Sequence, residues 1–136
     1  MADYFTHFSL VLELEPEQRD YAIQLAAQAS AHRFHEEPLP ESFPADLADV
    51  IEDWGFETEP ETKGIWLHSD NGGTHAACHF IQHLLQKFDF AASVGFEWSE
   101  DCSKPRTDAY GGGAAFITGT DIETMSTADW LRSQSC

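Results

Sequence analysis

Residues 74–98 read T-H-A-A-C-H-F-I-Q-H-L-L-Q-K-F-D-F-A-A-S-V-G-F-E-W, and the period of their apolar positions changes once. From Thr74 to Phe88, the residues Ala77, Phe80, Ile81, Leu84, Leu85 and Phe88 recur at helical spacing. From Ala91 to Trp98, Val94, Phe96 and Trp98 alternate with small or polar residues, which is the period of a strand. A one-sided helix running into a one-sided strand needs a two-layer fold to bury both stripes. Asn71-Gly72-Gly73 breaks the chain ahead of the helix, and Thr74 is expected to cap it.

The rest of the chain fits the same plan. Tyr4 to Leu14 reads Y-F-T-H-F-S-L-V-L-E-L, with Phe8, Leu10 and Leu12 alternating with Ser9, Val11 and Glu13, a strand with one apolar face. Pro16 suits the first turn of a helix, and the Ala-rich run Glu17 to Ala31 favours its continuation. Pro38, Pro40 and Pro44 mark a loop over 35–44. Ala45 to Trp54 is predicted as a short helix, with Leu47, Val50, Ile51 and Trp54 on one face and Gly55 as its stop. Phe56 to Asp70 reads as a hairpin with Pro60 in its turn. The segment 99–113 is expected to be a polar loop, Ala114 to Thr118 the last strand, and Thr127 to Arg132 a final helical turn. The predicted order is β-α-(α)-β-β-α-β-β. That is an α+β two-layer sandwich, an antiparallel-rich sheet with two main helices on one face. Its order is ferredoxin-like (split βαβ) with an extra edge strand. Residues 1–136 read as one domain, without repeat or linker.

Charge narrows the function. Asp and Glu number 24 against 7 Lys and Arg, a formal net charge of −17. Such a surface repels phosphate backbones and anionic membranes, so neither nucleic acid nor membrane is an expected direct partner. It attracts a basic protein or a cation. Cys78, Cys102 and Cys136 share no C-x-x-C spacing, which points to a reducing, cytoplasmic setting rather than a disulfide scaffold. Met1 to Leu10 has no basic stretch followed by an apolar run, and no apolar run approaches membrane-spanning length, so neither export nor membrane spanning is expected.

Three constellations carry candidate chemistry. His75, His79 and His83 lie at i, i+4 and i+8, a spacing that can share a metal on one helix face. They oppose the apolar stripe, so they are read as a solvent-facing histidine stripe with no metal and no cofactor. The second is the loop holding Trp98, Cys102, Lys104, Arg106, Tyr110, Gly111, Gly112 and Gly113. Two cations beside three glycines suit a phosphate or carboxylate, and Cys102 near them is a candidate reactive thiol. The opposing reading is that the cations neutralise neighbouring carboxylates and the glycines only shape the chain. The third is an acidic belt, Glu36, Glu37, Glu41, Asp46, Asp49, Glu52, Asp53, Glu57, Glu59 and Glu61, in a window without Lys or Arg. Its plain reading is a solvated face. Its sharper reading is a surface that imitates nucleic-acid phosphates and docks into a basic groove.

The stretch W-S-E-D-C-S-K-P-R-T-D-A-Y-G-G-G, Trp98 to Gly113, resembles a W-x3-C-S-K-P-R-x4-G-G-G signature of small acidic proteins of bacteria, plasmids and phages. Gly64-Ile65-Trp66-Leu67 and Asp129-Trp130-Leu131 are similar to that pattern as well. The resemblance implies no activity. It implies a bacterial or mobile-element origin, where small acidic proteins sometimes inhibit nucleic-acid-handling defence enzymes. No catalytic set stands out. The expectation is therefore a non-enzymatic interaction module that engages a protein with a basic surface. The alternative is a small anionic-ligand or enzymatic site at 98–113. Oligomeric state is left open, with edge-strand pairing as one route to a dimer.

Overall fold

In a computed structural model, residues 4–104 and 110–134 are described. Among them, the period-two segments pair into one antiparallel sheet of six strands. The strands are β1 (Tyr4–Glu13), β2 (Glu57–Glu61), β3 (Gly64–Ser69), β4 (Ser93–Cys102), β5 (Gly111–Thr118) and β6 (Ile122–Ser126). They lie in the order β2-β3-β1-β4-β5-β6. Helices α1 (Pro16–His35), α2 (Ala45–Ala48), α3 (Thr74–Phe88) and α4 (Thr127–Gln134) and a 3-10 turn at Ile51–Asp53 complete the described elements. Helix α1 joins β1 to β2 across β3, and α3 joins β3 to β4 across β1. The α+β sandwich expected from the periodicities is the observed architecture.

Alternation decides which side of the sheet the helices cover. Phe8 and Leu12 of β1, Ile65 and Leu67 of β3, Phe96 of β4, and Ala115 and Ile117 of β5 share one buried face. Against it α1 lays Ala22, Leu25, Ala26 and Ala29, whose small side chains let the helix approach closely. Helix α3 adds Ala77, Phe80, Ile81, Leu84 and Leu85. Trp54 and Phe56 fill the gap between the two helices, with ring centroids 4.8 Å apart, and both contact Phe80. The indole N–H of Trp54 is buried and has no partner among the described residues, so packing alone holds that ring.

Local signals explain both ends of α1. Pro16 opens α1, and the backbone N–H of Glu15 donates to Oε1 of Gln18 at 3.0 Å. The helix stops at Glu36, which adopts φ 57°, with His32, Arg33 and His35 in the last turn where cations are favoured. The start of α3 differs from expectation. Its N-cap is Gly73 at φ 81°, and Thr74 is already helical. A Cβ at Gly73 would fall 2.9 Å from the backbone nitrogens of Gly55 and Phe56, so only glycine fits there. The missing cap comes from a distance: Oδ2 of Asp53 accepts the N–H of Ala76 at 2.9 Å.

Four further expectations about the elements need correction. The helix over 45–54 is a single turn followed by the 3-10 segment, although Leu47, Val50, Ile51 and Trp54 are all buried as predicted. Pro60 lies within β2 rather than in the turn, which an edge strand tolerates. The expected loop 99–113 is strand at both ends, because β4 runs on to Cys102 and β5 begins at Gly111, and residues 105–109 lie outside the described residues. The last strand is β6, absent from the predicted order, so the sheet ends on a sixth strand rather than a fifth.

Asp53→Ala is expected to lower stability by about 1 kcal/mol, the usual worth of a helix cap, with Asp53→Asn losing less. Urea unfolding checks this, and an unchanged midpoint for the Ala variant would mean the cap contributes nothing.

Candidate functional site

The face of the sheet turned away from the helices is covered by no described element. Its side chains are those one residue out of phase with the core. They include Phe5, His7, Ser9 and Val11 of β1, Trp66 and His68 of β3, Ala114 and Phe116 of β5, and Met125 of β6. Carboxylates stand among them: Glu13, Glu57, Glu59, Glu61, Glu97, Asp101 and Glu123. None of the described strands carries a Lys or Arg. The described cations sit on helices, in the β2–β3 turn, or just after β4.

One half of the face is apolar. Phe116 is 51% exposed and Met125 53% exposed. They border an open groove of about 860 Å³ along β4, β5 and β6, with Gly95 in its floor and Glu97 and Glu123 beside it. The other half is polar and organised around histidine. Nδ1 of His7 lies 2.8 Å from Asp70 and its Nε2 3.2 Å from Asp101. Nε2 of His68 lies 2.8 Å from Glu59, and the Trp66 ring stacks on His68 at 3.9 Å. The indole N–H of Trp66 donates to Oγ of Ser9 at 2.7 Å. Hydrogen bonds to Asp70 and then Asp101 raise the pKa of His7 above its ordinary 6.5, against a smaller opposing effect of burial. An imidazole whose two nitrogens both face carboxylates has no free nitrogen to serve as a catalytic base. His7 acts as a local counter-ion that ties β1 to β4 and to the turn after β3.

The described residues singled out over 98–113 lie together on the β4–β5 hairpin. Trp98 turns to the helix side, where its ring lies across Gly113. A Cβ on Gly113 would sit 2.3 Å from the indole and 2.6 Å from the carbonyl oxygen of Met125. Gly112 is bracketed by Thr127, whose Oγ1 accepts the Gly112 N–H and donates to its carbonyl. Beside it, Gly111 pairs with Glu100. The Tyr110 hydroxyl donates to the carbonyl oxygens of Cys102 and Lys104, closing the hairpin. Cys102 is buried and Lys104 is exposed. Arg106 lies outside the described residues. Trp98 borders a hollow of about 230 Å³ beside His75, Cys78 and Asp129. Burial pushes the Cys78 thiol up to about 11, which disfavours the thiolate.

The acidic belt divides into two surfaces. Glu57, Glu59 and Glu61 project from the open side of β2, whereas Asp46 and Asp49 ride on α2 beside the helices. All ten side chains are exposed, but four have partners, Glu57 and Glu59 at His68 and two more among the helices. Asp53 caps α3, and Oδ2 of Asp46 lies 3.1 Å from Nδ1 of His83. Nε2 of His83 in turn meets the Tyr21 hydroxyl at 2.8 Å. The histidine stripe therefore does not point uniformly into solvent. His75 is exposed, His79 is half-buried with its pKa lowered by burial and by His75, and the His83 side chain is only 15% exposed. The cause is α2, which packs on that side of α3. Among the described residues, no group of three or more His, Cys, Asp or Glu is arranged to hold a metal ion. No described helix is long and apolar enough to cross a membrane.

Compared with family models, with curated proteins and with solved structures, the chain shows no significant match. Its function is therefore read from the geometry above.

Gly113→Ala is expected to destabilise the fold by about 1–3 kcal/mol, because a backbone oxygen blocks the new methyl. A wild-type urea midpoint would contradict the packing of Trp98 on β5. His7 supplies a pH test. A raised folded pKa stabilises the fold fully below the unfolded value and loses that contribution as pH rises through the folded value. The stability gap between wild type and His7→Ala should be larger at about pH 5.5 than at about pH 8.5, because the unfolded histidine titrates near 6.5. A gap that widens with rising pH would contradict the assignment.

Proposed function

We propose that this chain is a non-enzymatic protein-interaction module that docks the open face of its sheet on the basic surface of a protein partner. One observation carries the reading. A whole face of the sheet is free of Lys and Arg, dotted with carboxylates, and half-exposes Phe116 and Met125 over a broad groove. An apolar centre within a charged surround is the usual anatomy of a protein interface. A net charge of −17 steers a cationic partner toward it and resists an anionic one. Proteins that handle nucleic acid carry such basic surfaces, so the module fits a nucleic-acid mimic acting in a defence or anti-defence setting. Cys78 and Cys102 are buried and unbridged, which suits the cytoplasm.

A photo-crosslinking amino acid placed at position 116, with exposed Gln24 on α1 as the control site, tests this in cells that make the protein. The expected result is a protein adduct at 116 and none at 24, with the 116 adduct lost when Glu97 and Glu123 are changed to Lys. Adducts at 24 alone, or a 116 adduct indifferent to charge reversal, would overturn the reading.

A further inference from the structure

We infer that the partner engages β6 by strand addition: an extended segment bearing Lys or Arg pairs with Ile122–Ser126 as a seventh strand. This deepens the face-docking reading and rests on it.

The two edges of the sheet are built differently. Edge strand β2 is guarded by Pro60, by Glu57, Glu59 and Glu61, and by the Arg19 guanidinium, which donates to the carbonyl of Glu61 at 3.0 Å. Proline and charge on an edge are standard barriers to added strands. Edge strand β6 has no proline and one charged residue, Glu123.

The hydrogen-bond phase of β6 follows from its hairpin. Thr118 N–H donates to Asp121 O at 2.8 Å, which makes 118 and 121 a bonded pair. Antiparallel pairs alternate between bonded and non-bonded. With Phe116 opposite Glu123 and Ala114 opposite Met125, those pairs are bonded, and the main chain of Ile122, Thr124 and Ser126 faces away from β5. Among the described residues, nothing bonds to the outward main-chain groups of Ile122 or Thr124.

Hollows lie on both sides of this edge. The groove of about 860 Å³ reaches Glu123 and Met125 on the open face. A second hollow of about 230 Å³ lies on the helix side, between Ile122, Thr124, His75 and Asp129. Successive side chains of a strand point to opposite faces, so an added strand presents residues to both hollows in turn. Asp121, Glu123 and Glu97 give the surroundings an acidic character that selects cationic side chains, whereas Asp129 is already paired with Arg132. A second copy of the chain would instead set −17 against −17.

The probe is a synthetic peptide of alternating lysine and valine, with binding read by calorimetry and by amide hydrogen exchange on the full chain. Thr124→Pro removes an outward N–H while sparing the β5–β6 bonds. It should weaken binding about tenfold, the worth of a lost hydrogen bond with its desolvated partner. A peptide N-methylated at alternate residues should lose binding to the wild type, which keeps the test independent of how the proline variant folds. Slowed exchange at Ile122 and Thr124 completes the expected pattern. No binding by the wild type overturns strand addition. Equal binding to wild type and Thr124→Pro, abolished by Phe116→Asp, also overturns it while leaving face docking intact. A wild-type dimer that Thr124→Pro makes monomeric would show that the occupant is a second copy and overturn the cationic partner.

Discussion

The aromatic contact among Trp54, Phe56 and Phe80 holds the two layers together. Ring centroids of 4.8, 5.4 and 5.7 Å link the 3-10 turn, the start of β2 and the middle of α3. Phe8 extends the cluster into the central strand at 6.4 Å from Phe56, and Phe96 carries it into β4 at 5.3 Å from Phe8. Large rings dominate a core of this size because each buries a large apolar area. The capping bond from Asp53 to Ala76 is a consequence of the same packing, since it forms only where the 3-10 turn is pressed against the start of α3.

A core placed on one side of the sheet leaves the other side to water or to a partner. Water suits the half near β2 and β3, where His7 and His68 are paired with carboxylates and Trp66 is partly covered by His68. It suits the half near β5 and β6 less well, where Phe116 and Met125 stand half-exposed with no cation on the strands to offset Glu97 and Glu123. The two halves of one face thus differ in chemistry. The polar half is satisfied internally, and the apolar half gains free energy by being covered.

Much of the fold was legible. The stripe Ala77 to Phe88 and the alternation at Phe8, Leu10 and Leu12 are strong periodic signals, and each buries the face expected of it. The hairpin over 56–70 was legible from its two arms. β6 was not, because Ile122, Thr124 and Ser126 give its inner side only one large apolar residue. The glycines at 111–113 read as a flexible loop, yet they are paired strand residues kept small by Trp98 and Thr127. No local pattern signals a glycine required by a ring on the neighbouring strand. The candidate site suffered the same blindness. Glu57, Glu59 and Glu61 were visible as charge, but the face combining β1 with β3, β4, β5 and β6 comes together only through strand order. Helical periodicity puts His83 in solvent because it sees α3 alone, not the short α2 that lies against it.

The proposed docking of a basic partner on the uncovered sheet face is tested most directly by amide hydrogen exchange of the chain alone and with the lysine–valine peptide. Slowed exchange confined to β4, β5 and β6, with α1 and the 36–44 segment unchanged, is the result the proposal predicts. Slowed exchange on α1 and 36–44 with the sheet unaffected would contradict it and move the interface to the helical layer.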